Sequence, residues 1–425
     1  MKLSVIFVGF VLVMPVLSSV SCELSIIIED QQCTTIIAMG DVTKDGSIII
    51  AKNRDLSENS CQHFHVQPRE KTNEPMVKCQ YISIPQVNET YSWVGAKTYN
   101  KWGIGMGINE FNVSILDNDA DTREELEGKR GLHDNDLCRL VLERSRSAEE
   151  GVSVLASLVE EYGQAASGEM YTIADPYEVW IVETTNRHWA AKKIEKGIEV
   201  RANQYQITDD WDMASKDVVE FAVKNGWANE KDFSFAEAYT EEWPSRYSQI
   251  RYERANELLR GNVEIWDVID VLQDRYEKTE LYLSDERPIC VNRTAGVMTV
   301  KYLNSRTEVL FSFSSPCSTP LFIPFYNGYL SLPDSFEVGK DSYNENSAWW
   351  HYERLQRSID EDCKNRTWAS NVLEMMSKKW YSEFVEIAPG EESMNSTYSK
   401  ASDALILLDN LYHAICYKND RSLQK

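Results

Sequence analysis

The first third of the chain consists of short apolar or alternating runs that polar turns such as Asp45-Gly46 separate. Runs of this length, bounded by glycine and polar residues, predict β-strands. The predicted strands cover residues 34–39, 47–52, 80–85, 92–96, 103–109 and 113–116. This part of the chain is therefore predicted to form β-sheet.

The apolar positions then change to a helical spacing. In residues 134–144, Leu137, Leu140 and Val141 recur three or four positions apart, and a second stretch with one apolar face covers residues 148–162. Apolar residues at this spacing predict amphipathic α-helices. Two consecutive helices are therefore expected after the first group of strands.

The rest of the chain alternates between groups of strands and groups of helices. The further predictions are a hairpin of strands 169–174 and 178–183 around the turn Asp175-Pro176, helices 246–259 and 263–275, strands 289–302 and 307–313, and a mostly helical region from residue 344. This order has no strict βαβ alternation, which disfavours a doubly wound sheet. Two sheets stacked between layers of helices fit it better. No repeat or low-complexity linker marks a domain boundary.

The N-terminal segment has the pattern of a secretory signal peptide. Lys2 supplies a positive charge, residues 3–17 are almost wholly apolar, and Ser19 and Ser21 precede a cleavage site. The apolar stretch is too short for a membrane-spanning helix, although an uncleaved anchor is the alternative. We therefore predict a signal peptide at 1–21, a propeptide at 22–32 and one domain at 33–425 with a helical C-terminal region.

Charge and glycosylation motifs narrow the function and the compartment. The net charge of −23 argues against nucleic acid and anionic membrane surfaces as partners. With a signal peptide, glycosylation motifs indicate the eukaryotic secretory pathway, so a secreted or lysosomal location is expected. The motifs lie at Asn88, Asn112, Asn292, Asn365 and Asn395. Asn112 and Asn292 have apolar, strand-like surroundings, which weakens the prediction for those two.

The cysteines suggest disulfides rather than a metal centre. The chain has nine cysteines but no Cys-x-x-Cys pair and no cysteine–histidine set with zinc-ligand spacing, so no cofactor is expected. The predicted disulfides join Cys61 with Cys79 and Cys363 with Cys416. Cys138, inside a predicted helix, is expected to be a buried thiol.

Cys33 is the residue with the most distinctive chemical potential. It lies shortly beyond the predicted signal peptide, at the start of a strand. A cysteine that becomes N-terminal carries a nucleophile, its thiol, and a base, its own α-amine, whose pKa is near 8. This arrangement needs no catalytic histidine, and the chain has only six histidines. The competing interpretation is that Cys33 is an ordinary core residue.

Other polar residues fit such a nucleophile. Asp55 ends a strand antiparallel to the one that begins at Cys33, so a hairpin would place its carboxylate near the new amine. A cation such as Arg251 would favour the thiolate. Asn109 and Asn203, near the ends of strand-like runs, are candidate donors to an oxyanion. Turn-forming roles are the alternative for these polar residues.

An ordered set of motifs extends along most of the chain, from about residue 33 to 357. Its segments include Cys33-Thr34-Thr35, Ala51-Lys52-Asn53-Arg54-Asp55, Met106-Gly107-Ile108-Asn109-Glu110, Arg130-Gly131-Leu132-His133-Asp134, Ala202-Asn203, Arg287-Pro288-Ile289-Cys290 and Ser347-Ala348-Trp349-Trp350. By this set the chain resembles the dipeptidase family of N-terminal-nucleophile cysteine hydrolases, which includes bacterial dipeptidase A and the secernins. The wider superfamily also contains penicillin V acylases and bile salt hydrolases.

The resemblance implies a fold and the first part of a catalytic site. The fold would be α+β, the four-layer αββα sandwich of the N-terminal nucleophile hydrolases. Cys33 would be the nucleophile, and Asp55 would bind its α-amine. Lys52 falls where the acylases have an arginine, and lysine cannot replace a guanidinium in every respect. The secernins also have lysine at this position, so Lys52 stays within the family pattern.

The resemblance also implies the residues that would complete the site. Asn109 and Asn203 match the two asparagine positions of the oxyanion region. Arg251 matches the arginine near the nucleophile, and Arg246 and Arg254 are alternatives for that place.

The expected function is a cysteine amidohydrolase that cleaves a dipeptide or short peptide through Cys33, after removal of the residues up to Gln32. An acylase acting on N-acyl amino acids and a non-catalytic luminal binding protein of the same fold are the alternatives. Glu110 and Asp175 are weaker candidates for substrate-binding carboxylates. Binding to membranes is not expected after signal cleavage, and a homo-oligomer stays open.

Overall fold

The computed structural model of the protein describes residues 33–422, except residues 278, 284, 285 and 362. The side chains of residues 283, 361, 363–366 and 417–422 are also outside the described part. The predicted signal peptide and propeptide, residues 1–21 and 22–32, lie before it, so both stay predictions.

Strands make up most of the N-terminal half. They are β1 (Thr34–Ala38), β2 (Ile48–Asp55), β3 (Gln62–Gln67), β4 (Glu70–Lys71), β5 (Met76–Lys78), β6 (Ser83–Pro85), β7 (Glu89–Thr90), β8 (Trp93–Thr98), β9 (Met106–Asn109), β10 (Ser114–Ala120), β11 (Gly168–Ala174), β12 (Val179–Thr184), β13 (Trp189–Ile194), β14 (Ile198–Arg201), β15 (Met213–Ala214), β16 (Thr294–Leu303), β17 (Arg306–Ser312) and β18 (Ile323–Tyr326).

Helices separate the groups of strands and dominate the C-terminal part. They are α1 (Asp134–Arg144), α2 (Ala148–Tyr162), α3 (Val218–Lys224), α4 (Phe235–Tyr239), α5 (Arg246–Leu258), α6 (Ile265–Leu272), α7 (Ala348–Glu361), α8 (Cys363–Phe384) and α9 (Glu391–Ser422). Short 3₁₀ turns lie at Gly128–Arg130, Glu230–Asp232, Glu280–Leu283 and Asp334–Glu337.

Two large antiparallel sheets form the centre of the molecule. The first has six strands in the order β14-β1-β2-β16-β17-β18, and the second has eight in the order β15-β13-β12-β11-β10-β9-β8-β3. Consecutive strands are neighbours in most of the second sheet. In the first sheet β14 and β16 return from distant parts of the chain to lie beside β1 and β2.

The alternation of side chains along each strand determines what packs against the two faces of each sheet. Ile37 and Ile50 of the first sheet face the second sheet and pack with Leu116 of β10 in one core. Their neighbours Ile36 and Ile49 point the other way, toward α5 and α6. A strand exposes successive side chains on opposite faces, so each sheet is buried on both sides.

The second sheet is covered in the same manner. Ile115 and Ile173 on its outer face pack with Leu140 of α1 and Leu155 of α2. The order of layers is therefore α5/α6, first sheet, second sheet, α1/α2. The prediction of a four-layer αββα sandwich is confirmed.

The C-terminal helices extend the core between the sheets. Trp349 of α7, Leu373 of α8 and Leu408 of α9 belong to the same apolar cluster as Ile37 and Ile50. The helical C-terminal region is thus packed against the sandwich as part of one folded unit. Among the described residues, no helix combines the length and the apolar character that crossing a membrane would require.

The predicted disulfide between Cys61 and Cys79 is wrong, since both are buried free thiols. Cys61 packs in the core between the two sheets, whereas Cys79 packs with α1 and α2 on the outer side of the second sheet. Cys138 is a buried thiol, as predicted. Cys416 is also a free thiol, and the side chain of Cys363 is outside the described part.

The predicted glycosylation sites differ in exposure. Asn88, Asn292 and Asn395 are exposed. Asn112 is half-buried, and its Oδ1 already accepts a hydrogen bond. The side chain of Asn365 lies outside the described residues. Modification of these asparagines stays a prediction.

Candidate active site

Cys33 precedes the first residue of β1, and its side chain is only 4% exposed. The register of the β1–β2 hairpin pairs Thr35 with Lys52, whose side chain is fully buried. The Lys52 ammonium forms an ion pair with Asp117 of β10 and donates a hydrogen bond of 3.3 Å to the carbonyl oxygen of Gly105. A cation from the first sheet is thus fixed against the second sheet, beside the predicted nucleophile.

The protonation of Cys33 and Lys52 follows from their burial and their neighbours. Burial raises the pKa of the Cys33 thiol to about 11, and the Lys52 ammonium opposes this rise. Burial acts to lower the pKa of Lys52, but Asp117 and the Cys33 sulfur outweigh it and raise the pKa to about 12. Lys52 is therefore a permanent cation at neutral pH, and the thiol needs a base to become a thiolate.

Asp55 is the last residue of β2, and its carboxylate is buried. It accepts hydrogen bonds from Thr294 Oγ1 at 2.5 Å and from the Arg287 guanidinium at 3.1 Å. The charge of Asp55 raises the pKa of the Cys33 thiol, so the two groups are electrostatic neighbours. The carboxylate is held rigidly on the side of the strand opposite to Lys52.

Arg251 of α5 is fully buried and contacts the Cys33 segment directly. Its Nη1 donates to the carbonyl oxygen of Cys33 at 3.0 Å and to Thr34 Oγ1 at 3.1 Å. Its Nη2 donates to Asn203 Oδ1 at 3.0 Å. Burial lowers its pKa to about 10, so the guanidinium keeps its charge at neutral pH.

The two alternative arginines occupy other places. Arg246 is exposed and forms an ion pair with Glu286, while Arg254 binds Asp274 and Glu257. Of the three, Arg251 is the one that touches the Cys33 segment.

Asn203 follows β14 and has a left-handed backbone with φ 52°. Asparagine tolerates this conformation better than most residues do. Its Nδ2 donates to the carbonyl oxygen of Asp119 at 2.7 Å, and its Oδ1 accepts from Arg251. A continuous chain of hydrogen bonds therefore runs from Cys33 through Arg251 and Asn203 to the end of β10.

Asn109 does not belong to this group. Its Nδ2 donates to the carbonyl oxygens of Leu142 at 2.9 Å and Ser145 at 2.8 Å. Its Oδ1 accepts from the backbone N–H groups of Phe111 and Val113, both at 3.0 Å. Both donors of this buried amide are in use where they tie a turn to the end of α1, so the structure does not support the predicted oxyanion role.

A group of buried carboxylates near the site was not predicted. Oxygens of Asp119, Asp134 and Glu169 lie within 4.8 Å of one another, and Asp117 is close by on β10. Asp119 and Glu169 are cross-strand partners. The sequence signal was the run Asp117-Asn118-Asp119 at the end of an apolar strand, because charged residues are rare in such buried positions.

The two carboxylates that the sequence suggested for substrate binding, Glu110 and Asp175, make contacts within the fold instead. Glu110 is exposed, accepts from the backbone N–H of Ser92 at 2.8 Å and pairs with Arg69. Asp175 accepts from the N–H of Ala148 at the start of α2, at 2.8 Å, and from two N–H groups of its own turn.

Comparison with known proteins finds a matching peptidase family and relatives named as dipeptidases. The model of peptidase family C69 matches residues 32–386. A protein of Streptococcus pyogenes named probable dipeptidase B is 24% identical over 421 residues, 83% of this chain and 83% of its own. A probable dipeptidase of Salmonella dublin is 28% identical over 237 residues, 49% of this chain, and the match spans about half of that protein, 53%.

A variant of conjugated bile acid hydrolase from Clostridium perfringens is 13% identical with a TM-score of 0.43, covering 72% of this chain and 95% of that chain.

Proposed function

Because the chain belongs to peptidase family C69, we propose that it is a cysteine hydrolase that cleaves the amide bond of dipeptides or short peptides through the thiolate of Cys33. This proposal rests on the groups that surround Cys33 in the structure. Its carbonyl oxygen is held by Arg251, and the charges of Lys52 and Asp55 act on its thiol. Three residues from two separate elements, β2 and α5, thus converge on the residue that the sequence singled out.

The proposed mechanism begins with removal of the residues up to Gln32. The freed α-amine, with a pKa near 8, takes the proton of the thiol. The Lys52 ammonium stabilises the thiolate, which buried surroundings would otherwise disfavour. Asp55, fixed by Thr294 and Arg287, binds and orients the α-ammonium. This arrangement gives Cys33 its own base.

The thiolate then attacks the carbonyl carbon of the peptide bond, and the C–N bond breaks after a tetrahedral oxyanion has formed. The α-ammonium gives its proton to the leaving amine, and water hydrolyses the thioester that remains. Asn203 and nearby backbone N–H groups are the proposed donors to the oxyanion. The Arg251 contact keeps Asn203 next to the Cys33 segment while these steps occur.

The N-terminal residue of the purified active protein tests this mechanism. Sequencing or intact-mass analysis should find Cys33 at the N-terminus. Active protein that begins at Cys22 or Glu23 would overturn the proposal, because Cys33 would then lack a free α-amine. Correctly processed protein with a reactive Cys33 but no hydrolysis would favour the non-catalytic binding protein instead.

We propose a secreted or lysosomal location on the basis of the signal-peptide pattern and the glycosylation motifs. The exposed side chains of Asn88, Asn292 and Asn395 are compatible with modification. Enzymatic removal of N-linked glycans from protein made in eukaryotic cells should increase its electrophoretic mobility. An unchanged mobility would speak against passage through this pathway.

A further inference from the structure

The cluster Asp119, Asp134 and Glu169 brings three carboxylates together at one end of the second sheet, where β10 ends and β11 and α1 begin. Glu169 is fully buried and Asp134 is 5% exposed, while Asp119 is half-buried. Buried carboxylates at this separation repel one another unless a cation or protons lie between them. The cluster is therefore a place where positive charge would be stabilised.

Glu169 shows that the cluster is incomplete. Its Oε1 accepts a hydrogen bond of 2.7 Å from Ser167 Oγ. Its Oε2 is buried and receives no hydrogen bond from the described residues. The neighbour within reach is Asp119, another carboxylate, with which Glu169 can only share a proton. A proton shared with Asp119 satisfies this oxygen only while one of the two acids stays neutral, so a ligand that brings its own donor would allow both to act as carboxylates.

The basic side chains near the carboxylate cluster form ion pairs and hydrogen bonds mostly with groups outside it. Lys52 pairs with Asp117, and the Arg54 guanidinium donates to the side chains of Gln62 and Asn135. Of the three clustered acids, His133 forms an ion pair only with Asp134. Burial raises the pKa of Asp119 to about 7, although Lys52 opposes this rise, and it raises the pKa of Glu169 well above its ordinary value. His133 instead lowers the pKa of Asp134 despite its burial, so Asp119 and Glu169 are the two acids of the cluster that no cation among the described residues contacts directly.

The cluster is also adjacent to Cys33. The charge of Asp119 raises the pKa of the Cys33 thiol. The backbone carbonyl of Asp119 is held by Asn203, which Arg251 joins to the carbonyl oxygen of Cys33. The acidic group is therefore fixed relative to the nucleophile by a short chain of hydrogen bonds.

We propose that Asp119, Asp134 and Glu169 bind the α-ammonium group of the substrate, an inference that rests on the proposed function. This contact would make the protein specific for peptides with a free N-terminus. An ammonium group has three donors, one for each carboxylate. It would supply a donor to Glu169 Oε2 and a positive charge to Asp119 and Glu169, the two acids that no cation in the described part of the chain contacts directly. Asp119, as the most exposed of the three, would be the first to meet it.

The geometry of a dipeptide limits how far its ammonium group can lie from the Cys33 sulfur. The α-nitrogen lies about 2.5 Å from the carbonyl carbon of the first residue, given bonds of about 1.46 and 1.52 Å. Attack requires the thiolate within about 3.5 Å of that carbon. The ammonium group of a dipeptide cleaved at its single peptide bond must therefore lie within roughly 6 Å of the sulfur. A receptor for it has to lie near Cys33, and this part of β10 does, because Asn118, the neighbour of Asp119, accepts a hydrogen bond of 2.6 Å from Thr35 Oγ1 at the start of β1.

The test compares alanyl-leucine with propionyl-leucine, which is the same molecule with the α-amine replaced by hydrogen. Processed wild-type protein should hydrolyse alanyl-leucine at least about 100-fold better in kcat/KM. Asp119→Asn and Glu169→Gln should each weaken use of alanyl-leucine about 10- to 100-fold, mainly in KM, and affect propionyl-leucine much less. Glu169→Gln is the cleaner variant, because Asp119→Asn also removes a charge that acts on the Cys33 thiol. Glu110→Gln is the matched control, because this carboxylate is exposed and pairs with Arg69 outside the cluster.

A second measurement reports occupancy of the site independently of product formation. The rate at which iodoacetamide alkylates Cys33 should fall when alanyl-leucine occupies the site, and propionyl-leucine at equal concentration should protect poorly. Circular dichroism and the unfolding temperature establish whether each variant is folded. If one variant fails to fold, the other variant carries the test of the cluster, and equal use of the two ligands by the wild type would still contradict the proposal.

Several results would overturn the inference. Equal cleavage of both ligands by the wild type, or equal losses for both in the variants, would assign the cluster a structural role. A requirement for Ca²⁺ that the variants abolish for both ligands would make it a metal site. If the wild type hydrolyses neither ligand but alanyl-leucine alone protects Cys33, the proposed function fails and the ammonium site stands.

Discussion

Arg251 and Cys33 are joined by a hydrogen bond of 3.0 Å from the guanidinium Nη1 to the carbonyl oxygen of Cys33. The two residues lie on different layers, since Arg251 belongs to α5 and Cys33 precedes the first strand of the first sheet. The same guanidinium binds Thr34 and Asn203. Arg251 therefore fixes the start of β1 and the proposed oxyanion donor in one arrangement.

Arg251→Lys should keep a positive charge but lose the planar fork that binds both sides. We expect kcat to fall at least about 10-fold, because hydrogen bonds from a charged donor contribute about 1.5–3 kcal/mol each. The unfolding free energy should fall by a similar amount. Steady-state kinetics and urea unfolding measure the two effects.

Arg254→Lys is the matched control on the same helix, since it pairs with Asp274 and Glu257 away from Cys33. A control that loses as much kcat as Arg251→Lys would contradict the specific role of Arg251.

Cys33→Ala should abolish hydrolysis and leave the fold intact, because the proposed role of the thiol is covalent. Loss of one sulfur from a large core should cost about 1 kcal/mol of unfolding free energy. Cys33→Ser should retain a small residual rate, since a hydroxyl is the poorer nucleophile at neutral pH. Peptide hydrolysis followed by amino-acid analysis, with an unfolding curve for each variant, provides the measurement.

Cys79→Ala is the control, because it shows whether removing a buried thiol elsewhere in the fold also reduces hydrolysis. Cys79 is a buried free cysteine on the outer side of the second sheet. The Cys79→Ala variant should keep full activity. Activity that survives in Cys33→Ala would remove the thiol mechanism.

The layers could be predicted from the sequence because their cause is local. Alternation in β1 and β2 places Ile36 and Ile49 on one face and Ile37 and Ile50 on the other, and both faces are apolar. Such strands must be covered on both sides, which indicates stacked sheets with outer helices. Short edge strands such as β4 (Glu70–Lys71) have no such pattern and were not predicted.

The site was only partly predictable because its contacts are not local. Asn109 and Asn203 looked alike as asparagines at strand ends, and only the tertiary structure shows that Asn109 ties a turn to α1 whereas Asn203 reaches Arg251. Glu169 meets Asp119 through the register of β10 and β11, which no pattern in either strand determines. The family resemblance implies Arg251, with Arg246 and Arg254 as alternatives. The structure places Arg251 with Ser248 and Ala255 on the buried face of α5.

Lys52→Gln should affect both activity and stability, since it removes the cation beside Cys33 and leaves Asp117 buried without its partner. Breaking one half of a buried ion pair costs about 3–5 kcal/mol. Adding Asp117→Asn in the Lys52→Gln background should restore most of the unfolding free energy, because the unpaired charge disappears.

Activity should stay low in the double variant, since the ammonium that stabilises the thiolate is still absent. Kinetics and urea unfolding of the single and double variants form the test. Recovery of activity together with stability would show that Lys52 acts only through the fold.

The unfolding free energy should fall as the pH rises from 5 to 8. Burial raises the pKa of Glu183 to about 7, although Arg201 and the N–H groups of Gln206 and Ile207 oppose this rise. In unfolded chains a glutamate has a pKa near 4.3. A group whose pKa is higher in the folded state contributes stability below its unfolded pKa, and this stability is lost as the pH rises through the folded value. The window of loss for Glu183 is therefore about pH 4–7.

His188 acts in the same direction, since Glu124 raises its pKa despite its burial, so part of its contribution is also lost as the pH rises. Glu183→Gln should flatten the profile and reduce the difference in unfolding free energy between pH 5 and pH 8 by about 2 kcal/mol. Urea unfolding at pH 5, 6, 7 and 8 measures this, and Glu110→Gln, an exposed carboxylate, serves as the control. A wild-type profile that rises toward pH 8, or one that Glu183→Gln leaves unchanged, would contradict the assignment of this pH dependence to the buried Glu183 carboxylate.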